Sequence, residues 1–358
     1  QACVERADHH PQNLLATATH DHKRGEDCRA RLAVLSERAA WYAERVREWQ
    51  RLAQSLRSSQ MQQAPDGGEE AILYQALIGS WPLGLQADDA TGLDAYLQRL
   101  LEWQRKALRE AKLNSAWSAP NDEHETACAD FLRRLLVEPD GLALRRELAS
   151  TVSAIAPAGA LNSLAQCLLR LTTPGVPDLY QGCEFWDFSL VDPDNRRPVD
   201  FPARQAALHA EVTAEARLEN WQDGRIKQWL IRQALALRAE RPQLFSHGSY
   251  QPLGVTGEHA AQVLAFLRSH GDDHLLVIVP RLAAGLLDEH PVPHVPPQRW
   301  GNTTVVLPDA LHDRQATGML GDCQVATDQG IALATALARF PVNLLRITPS
   351  LQEPRHDR

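Results

Sequence analysis

The sequence lacks several features, each of which would have settled a functional class at once. Its six cysteines, Cys3, Cys28, Cys128, Cys167, Cys183 and Cys323, include no Cys-x-x-Cys pair and follow no regular spacing. That excludes a zinc ribbon or a disulfide framework on spacing grounds, and the thiols are expected free, as in a reducing cytoplasm. No run of about 18 or more apolar residues stands out, so no membrane span is expected. The N-terminus has no basic-then-apolar signal pattern. Basic excess is also missing: the net charge is −8 and the pI about 6.0, which argues against nucleic acid or an anionic membrane as partner. Nothing repeats at a fixed period, so a solenoid is not expected.

What is present is ordinary for a globular chain: 358 residues, 44% hydrophobic and 23% charged, with room for two domains. Nine tryptophans are many; each is either core or a flat platform for a sugar ring. The sequence opens almost on a strand and without Met, so we expect it to be the C-terminal portion of something longer.

The most informative stretch is 17–27, TATHDHKRGED. An apolar run, 14–18, leads into it and a helix-prone segment follows, the pattern of a parallel strand holding polar groups at its C-terminal tip. An ionised carboxylate there can stabilise an oxocarbenium-like cation, and a neutral His can donate to hydroxyls. The bland alternative is that Asp21 caps a helix beginning near Lys23. The local pattern leaves both readings open.

Helical spacing recurs over Leu32–Leu35–Ala39 and Tyr42–Val46–Trp49–Leu52–Leu56. The polar stretch 58–70 reads as a surface loop. Further helices are expected around 72–78, 93–113 and 131–136, and one through Leu161–Leu171 capped by Thr151 or Ser153. Residues 176–180 read as a short strand, 181–202 as a long polar loop and 226–240 as a helix stopped by Pro242. From about 244 the pattern turns to short strands at 263–266, 275–279, 303–307, 331–337 and 342–346. The Pro-rich 291–297 reads as a stiff surface loop.

The loop 187–200 holds four aspartates, two arginines and an Asn. Arg can grip a carboxylate bidentately or donate to sugar hydroxyls, while the alternative is a self-bonded loop of turns and salt bridges. A calcium loop is disfavoured because no Gly stands at its sixth position. Segment 106–121 is a basic helix end whose default reading is a solvated face, and 74–82 reads as packing around Trp81.

Taken together, ATATHDHKRGEDCRARLAVLSE (16–37), LYQALIGSWP (73–82), KALREAKLNSAW (106–117), TTPGVPDLYQGCEFWDFSLVDPDNRRPVDF (172–201) and DGRIKQWLIRQALALRAERPQLF (223–245) resemble one family. It is maltooligosyl trehalose synthase, the (1→4)-α-D-glucan 1-α-D-glucosylmutase of the α-amylase superfamily (glycoside hydrolase family 13). The resemblance covers nearly the whole chain, and 172–201 is its most specific block. His22 departs from it, standing where Thr is usual.

The resemblance implies an α+β, mostly helical chain: the C-terminal part of a (β/α)8 barrel with a large helical insertion and a C-terminal antiparallel β domain. The implied division is 1–30 for barrel strand seven and the site motif, 31–150 for the insertion, 151–243 for barrel helix seven, strand eight, its long loop and helix eight, and 244–358 for the β domain. Asp21 would stabilise the transition state. His20, Lys23, Arg24, Tyr180, Asp192, Asn195 and Arg196 would bind substrate. The nucleophilic Asp and acid/base Glu would lie in a missing N-terminal barrel portion, so the isolated chain is expected to be inactive. The implied substrate is a maltooligosaccharide, the reaction trehalose-forming intramolecular transglycosylation, the location cytoplasmic, and no cofactor or metal is needed. Two alternatives stand beside this: another α-amylase-type glycosidase or transferase, and a non-catalytic carbohydrate-binding or structural module.

Overall fold

The computed structural model describes residues 1–57, 64–288 and 290–349. The chain is a mixture of helix and sheet and divides into two compact units. One comprises Ala18–Gly159 and Asp187–Val199; the other comprises Gln1–Thr17, Ala160–Trp186 and Asp200–Arg358.

The first unit is helical. Its helices are α1 (Glu26–Ala33), α2 (Ala39–Ala53), α3 (Gly67–Ser80), α4 (Ala90–Ala111), α5 (Asp122–Leu136) and the first part of α6 (Leu142–Thr172). Their apolar faces meet in one core containing Trp49, Tyr74, Leu77, Trp81, Tyr96, Leu100, Phe131, Leu135 and Leu148. Trp81 packs edge-on against Tyr96 at 5.4 Å and Trp49 against Tyr74 at 5.2 Å, so both indoles are core, as expected for 74–82. The expected loop 58–70 is shorter than its polarity implied. Residues 58–63 lie outside the described residues, and α3 has already begun at Gly67. Asp66 caps it by accepting from Gly68 and Glu69 N–H, while Glu69 reaches back to the Asp66 N–H.

Helix α6 corrects one reading. It starts at Leu142, so Thr151 and Ser153 lie inside it and cap nothing. From 149 to 169 it carries no charged residue, and by length and composition it could cross a membrane. However, 67% of its most apolar window is buried inside the protein, as in a core helix.

In the second unit, β1 (Leu14–Leu15) and β2 (Val176–Pro177) pair in parallel. Val176 donates to Asn13 O and Asp178 to Leu15 O, both at 2.9 Å, so Pro177 stands where no N–H is needed. Gly175, at φ 131°, brings its Cα so near Leu15 that a Cβ would meet the Leu15 side chain at 2.6 Å. Helix α7 (Arg225–Glu240) follows, where helical spacing placed it. A six-stranded antiparallel sheet is built from β3 (Ser249–Pro252), β4 (Val263–His270), β5 (Asp273–Pro280), β6 (Arg314–Gly318), β7 (Gln324–Ala326) and β8 (Asn343–Pro349). Its order is β3-β4-β5-β8-β6-β7. The expected strand 331–337 is strand only at Ile331–Ala332, because Leu333–Ala336 is an Ala-rich helical turn. Nor is 291–297 simply surface: Val295 is buried, and the Pro291 carbonyl accepts from the Trp221 indole at 3.0 Å.

Arg268 on β4 is 1% exposed and fastens this sheet to its surroundings. Its guanidinium donates to the carbonyls of Thr172, Leu244, Phe245, Gly248 and Ser249 at 2.8–3.2 Å. Replacing it by Met leaves these acceptors buried without donors. Arg268→Met should lower unfolding free energy by about 3–5 kcal/mol, measured by urea titration.

Candidate functional site

Residues 18–25 and 187–199 are brought together in the helical unit, and neither owes its shape to a helix or strand of its own beyond one short 3-10 turn. Helix α1 begins at Glu26 with Gly25 as its N-cap, so Asp21 is not its capping residue. His20 and Asp21 instead form an exposed turn. Beyond it the chain pairs with the loop: Gly25 N–H donates to Ser189 O at 2.7 Å, and Arg24 bridges Leu190. Gly25 has to be glycine here, since a Cβ would lie 2.6 Å from the Asp187 carbonyl and carboxylate oxygens.

His22 fixes the turn from inside. Its Nδ1 accepts the Thr19 N–H at 3.3 Å and its Nε2 lies 3.2 Å from Ser189 Oγ. Burial is the chief reason its pKa is lowered, with Asp187 opposing the shift. A neutral imidazole with its proton on Nε2, donating to Ser189, fits both contacts. The Asn195 side-chain N–H in turn donates to the His20 carbonyl at 2.8 Å, tying the two motifs directly.

The loop is held by Asp194, whose side chain is 1% exposed. Its carboxylate takes a bidentate pair from Arg99 on α4 at 2.9 and 3.1 Å, the Leu190 N–H at 2.8 Å and Arg197 at 2.9 Å. Burial favours the neutral acid, but the hydrogen bonds and charge of Arg99, with Arg197, prevail and hold its pKa below the ordinary value.

A cluster of alternating charge sits at the rim. Lys106 on α4 donates to Asp192 and lies 3.7 Å from Glu110. Lys23 bonds Glu110 at 3.2 Å and Arg196 lies 3.4 Å from Asp192. The hydrogen bond to Asp192 is the largest cause raising the Lys106 pKa, and the charges of Asp192, Glu110 and Asp21 add to it. Reciprocally, the Lys106 bond holds Asp192 below its ordinary value, helped by Arg196 and Lys23. Among the described residues, the Asp21 carboxylate makes no direct hydrogen bond or ion pair, although its charge is felt at Lys106.

Seven of the eight residues singled out in the sequence therefore converge: His20, Asp21, Lys23, Arg24, Asp192, Asn195 and Arg196. Arg24 joins through its backbone bridge. Tyr180 lies in the other unit, half-buried, with its carbonyl accepting the Cys183 N–H at 3.0 Å.

No family model matches this chain. A Mycobacterium tuberculosis protein named "Putative maltooligosyl trehalose synthase" is 36% identical over 308 residues, 86% of this chain and 35% of that protein. The solved maltooligosyltrehalose synthase of Arthrobacter ramosus superposes over 97% of this chain and 40% of its own, with a TM-score of 0.74 and 30% identity. A Sulfolobus tokodaii structure described as a hypothetical maltooligosyl trehalose synthase covers 93% of this chain and 38% of its own, at TM-score 0.67 and 26% identity. The chain belongs to the maltooligosyl trehalose synthase family. It spans about a third of the length of the curated relatives it matches.

In this chain, Lys106 and Arg99 are the residues that residue-by-residue reading missed. Both lie on α4 seven residues apart, two helical turns, and so share a face. The signal was there in the Arg99/Lys106 spacing and in the excess of aspartate at 187–200. What was lacking was the knowledge that this helix faces that loop. Segment 106–121 is accordingly not just a solvated face, since Lys106 serves the loop.

Asp194→Asn removes the charge that Arg99 is buried against. It should cost about 3–5 kcal/mol of stability at neutral pH. Because the folded pKa of Asp194 is depressed, its contribution is complete above the ordinary value near 3.8 and is lost as pH falls through the folded pKa. The stability gap between wild type and variant should therefore be constant above about pH 5 and shrink below about pH 4, read from denaturant melts across pH.

Proposed function

We propose that this chain is the part of a maltooligosyl trehalose synthase that supplies the transition-state carboxylate, Asp21, to a reaction completed by the rest of the enzyme. The reaction is the conversion of the reducing-end α-1,4 bond of a maltooligosaccharide into an α,α-1,1 bond. The observation that carries this is the joining of the two motifs. The exposed His20–Asp21 turn is held by Asn195 from the loop, while Asp21 does not cap the helix that follows and, among the described residues, enters no ion pair.

Retention of α configuration calls for a covalent glycosyl-enzyme, formed by a nucleophilic carboxylate with a second carboxyl acting as acid and then base. Both lie in the remaining length of the family's chain. The freed glucose is then retained and turned so that its anomeric hydroxyl attacks the intermediate before water does. Asp21 stabilises the oxocarbenium-like cation as each bond breaks. Lys23, Lys106, Asn195 and Arg196 present N–H donors to hydroxyls of the retained sugar, with Asp192 as acceptor. His20 completes the sugar contacts.

The parallel pair β1–β2 supports reading 14–19 and 176–180 as barrel strands seven and eight; the division into an insertion at 31–150, a strand-eight region at 151–243 and a β domain at 244–358 rests on the resemblance. In barrels of this kind, catalytic groups stand just past the C-terminal ends of strands, as His20 and Asp21 follow β1 in sequence.

The test is reducing-end loss from maltopentaose, by this chain alone and after addition of the polypeptide that precedes it in full-length relatives. Loss is expected only with both parts present and should fall at least about a thousandfold with Asp21→Asn. Turnover by this chain alone would overturn the division of carboxylates, and appearance of new reducing ends would favour an ordinary glycosidase.

A further inference from the structure

A second cluster of reactive side chains lies on the helical unit, built by α3, α5 and the segment that follows α4. His124 and Cys128 are four residues apart on α5 and so point from the same face. Glu69, in the first turn of α3, faces them. His124 Nε2 lies 2.9 and 3.0 Å from the two Glu69 oxygens and 3.6 Å from Cys128 Sγ, and Sγ lies 3.9 Å from Glu69 Oε2. Cys128 is fully buried, and the side chains of His124 and Glu69 are only 14% and 10% exposed.

We propose that Glu69, His124 and Cys128 bind one zinc-class divalent ion, which staples α3 to α5, with water as the fourth ligand. Three observations support it. The donor set is mixed nitrogen, sulfur and oxygen, which suits a borderline-soft ion. With bonds of about 2.0–2.3 Å, neighbouring ligand atoms of a tetrahedral zinc lie roughly 3.3–3.8 Å apart, close to the separations found here. The Glu69 carboxylate is also already oriented from behind: Oε2 accepts the Asp66 N–H at 2.9 Å and Oε1 accepts from Asn114 Nδ2 at 3.0 Å. Such outer hydrogen bonds fix the ligating oxygen in metal sites. On binding, the thiol proton leaves to solvent as the metal–sulfur bond forms. The imidazole keeps one proton, on Nδ1, and Nε2 turns its lone pair to the ion.

The role is one of holding two helices together and is independent of the proposed sugar chemistry. The experiment is a Co2+ titration of the EDTA-treated chain. A tetrahedral thiolate site gives a near-ultraviolet sulfur-to-cobalt band and intense visible bands, saturating at one equivalent and bleached by Zn2+. Cys128→Ser should abolish the sulfur band, and His124→Ala should collapse the tetrahedral spectrum. Asn114→Ala should keep the spectrum but weaken affinity about 10–100-fold. Far-ultraviolet circular dichroism verifies that each variant folds. A weak octahedral spectrum, or a sulfur band that survives in Cys128→Ser, would overturn the assignment. The cluster would then be a histidine–carboxylate pair beside a buried thiol.

Discussion

The helical unit depends on one buried ion pair, Arg99 with Asp194. The segment 187–199 contains a single 3-10 turn, Asp194–Arg196, and otherwise no helix or strand. A loop of that length costs conformational entropy at every residue, and no ladder repays it. Asp194 answers this by taking charge-assisted bonds from a helix, from its own loop and from Arg197 together. With the anchor set, Leu190 and Val191 are committed to the core, Asn195 reaches the His20 carbonyl and Asp192 meets Lys106. A buried pair of this kind adds little net energy over a well-packed apolar substitute, but it rewards one geometry of the loop over others.

Arg31 plays the complementary part from the side of α1. Its guanidinium fills the C-terminal end of α3, donating to Ile78, Gly79 and Trp81 carbonyls at 3.2, 3.2 and 2.8 Å. These are acceptors that a helix end leaves without partners, at the negative end of its dipole. The other face of the same group stacks on Phe188 at 3.7 Å. The His20–Asp21 turn is thus followed by a helix pinned to the core and faced by a loop pinned to α4. An exposed motif obtains a defined position without being buried itself.

The parts of this organisation that could be read in the sequence were those with periodicity or strong local chemistry. The helix 226–240 and the strands near 263–280 and 342–346 announce themselves by apolar spacing, and Trp81 by its apolar neighbours. Elements of weaker pattern escaped: β3, β6 and β7 carry Ser, Gln, Arg and Thr, and owe their strand form to pairing rather than propensity. The start of α3 was hidden because a capping box of Asp66 and Glu69 looks like a polar loop until its hydrogen bonds are known. Of the site, the motif residues were legible because their types cluster in sequence. Arg99 and Lys106 were not, because their partners lie about 90 residues away along the chain.

The same geometry explains why two aspartates close in space are suited to different work. Asp192 is occupied: Lys106 and Arg196 compensate its charge, and its acidity is raised accordingly. Such a carboxylate offers little negative potential to a cation arriving nearby, but it is well placed to hold a neutral hydroxyl. Asp21 has no direct partner among the described residues and stays exposed on a turn whose backbone is fixed by Asn195 and His22. An uncompensated carboxylate in a fixed place is what a developing positive charge requires, since its field need not be reorganised as the charge appears. Lys106 therefore serves the proposed chemistry by what it neutralises. By pairing with Asp192 and Glu110 it leaves Asp21 as the carboxylate of the cluster that makes no direct hydrogen bond or ion pair among the described residues.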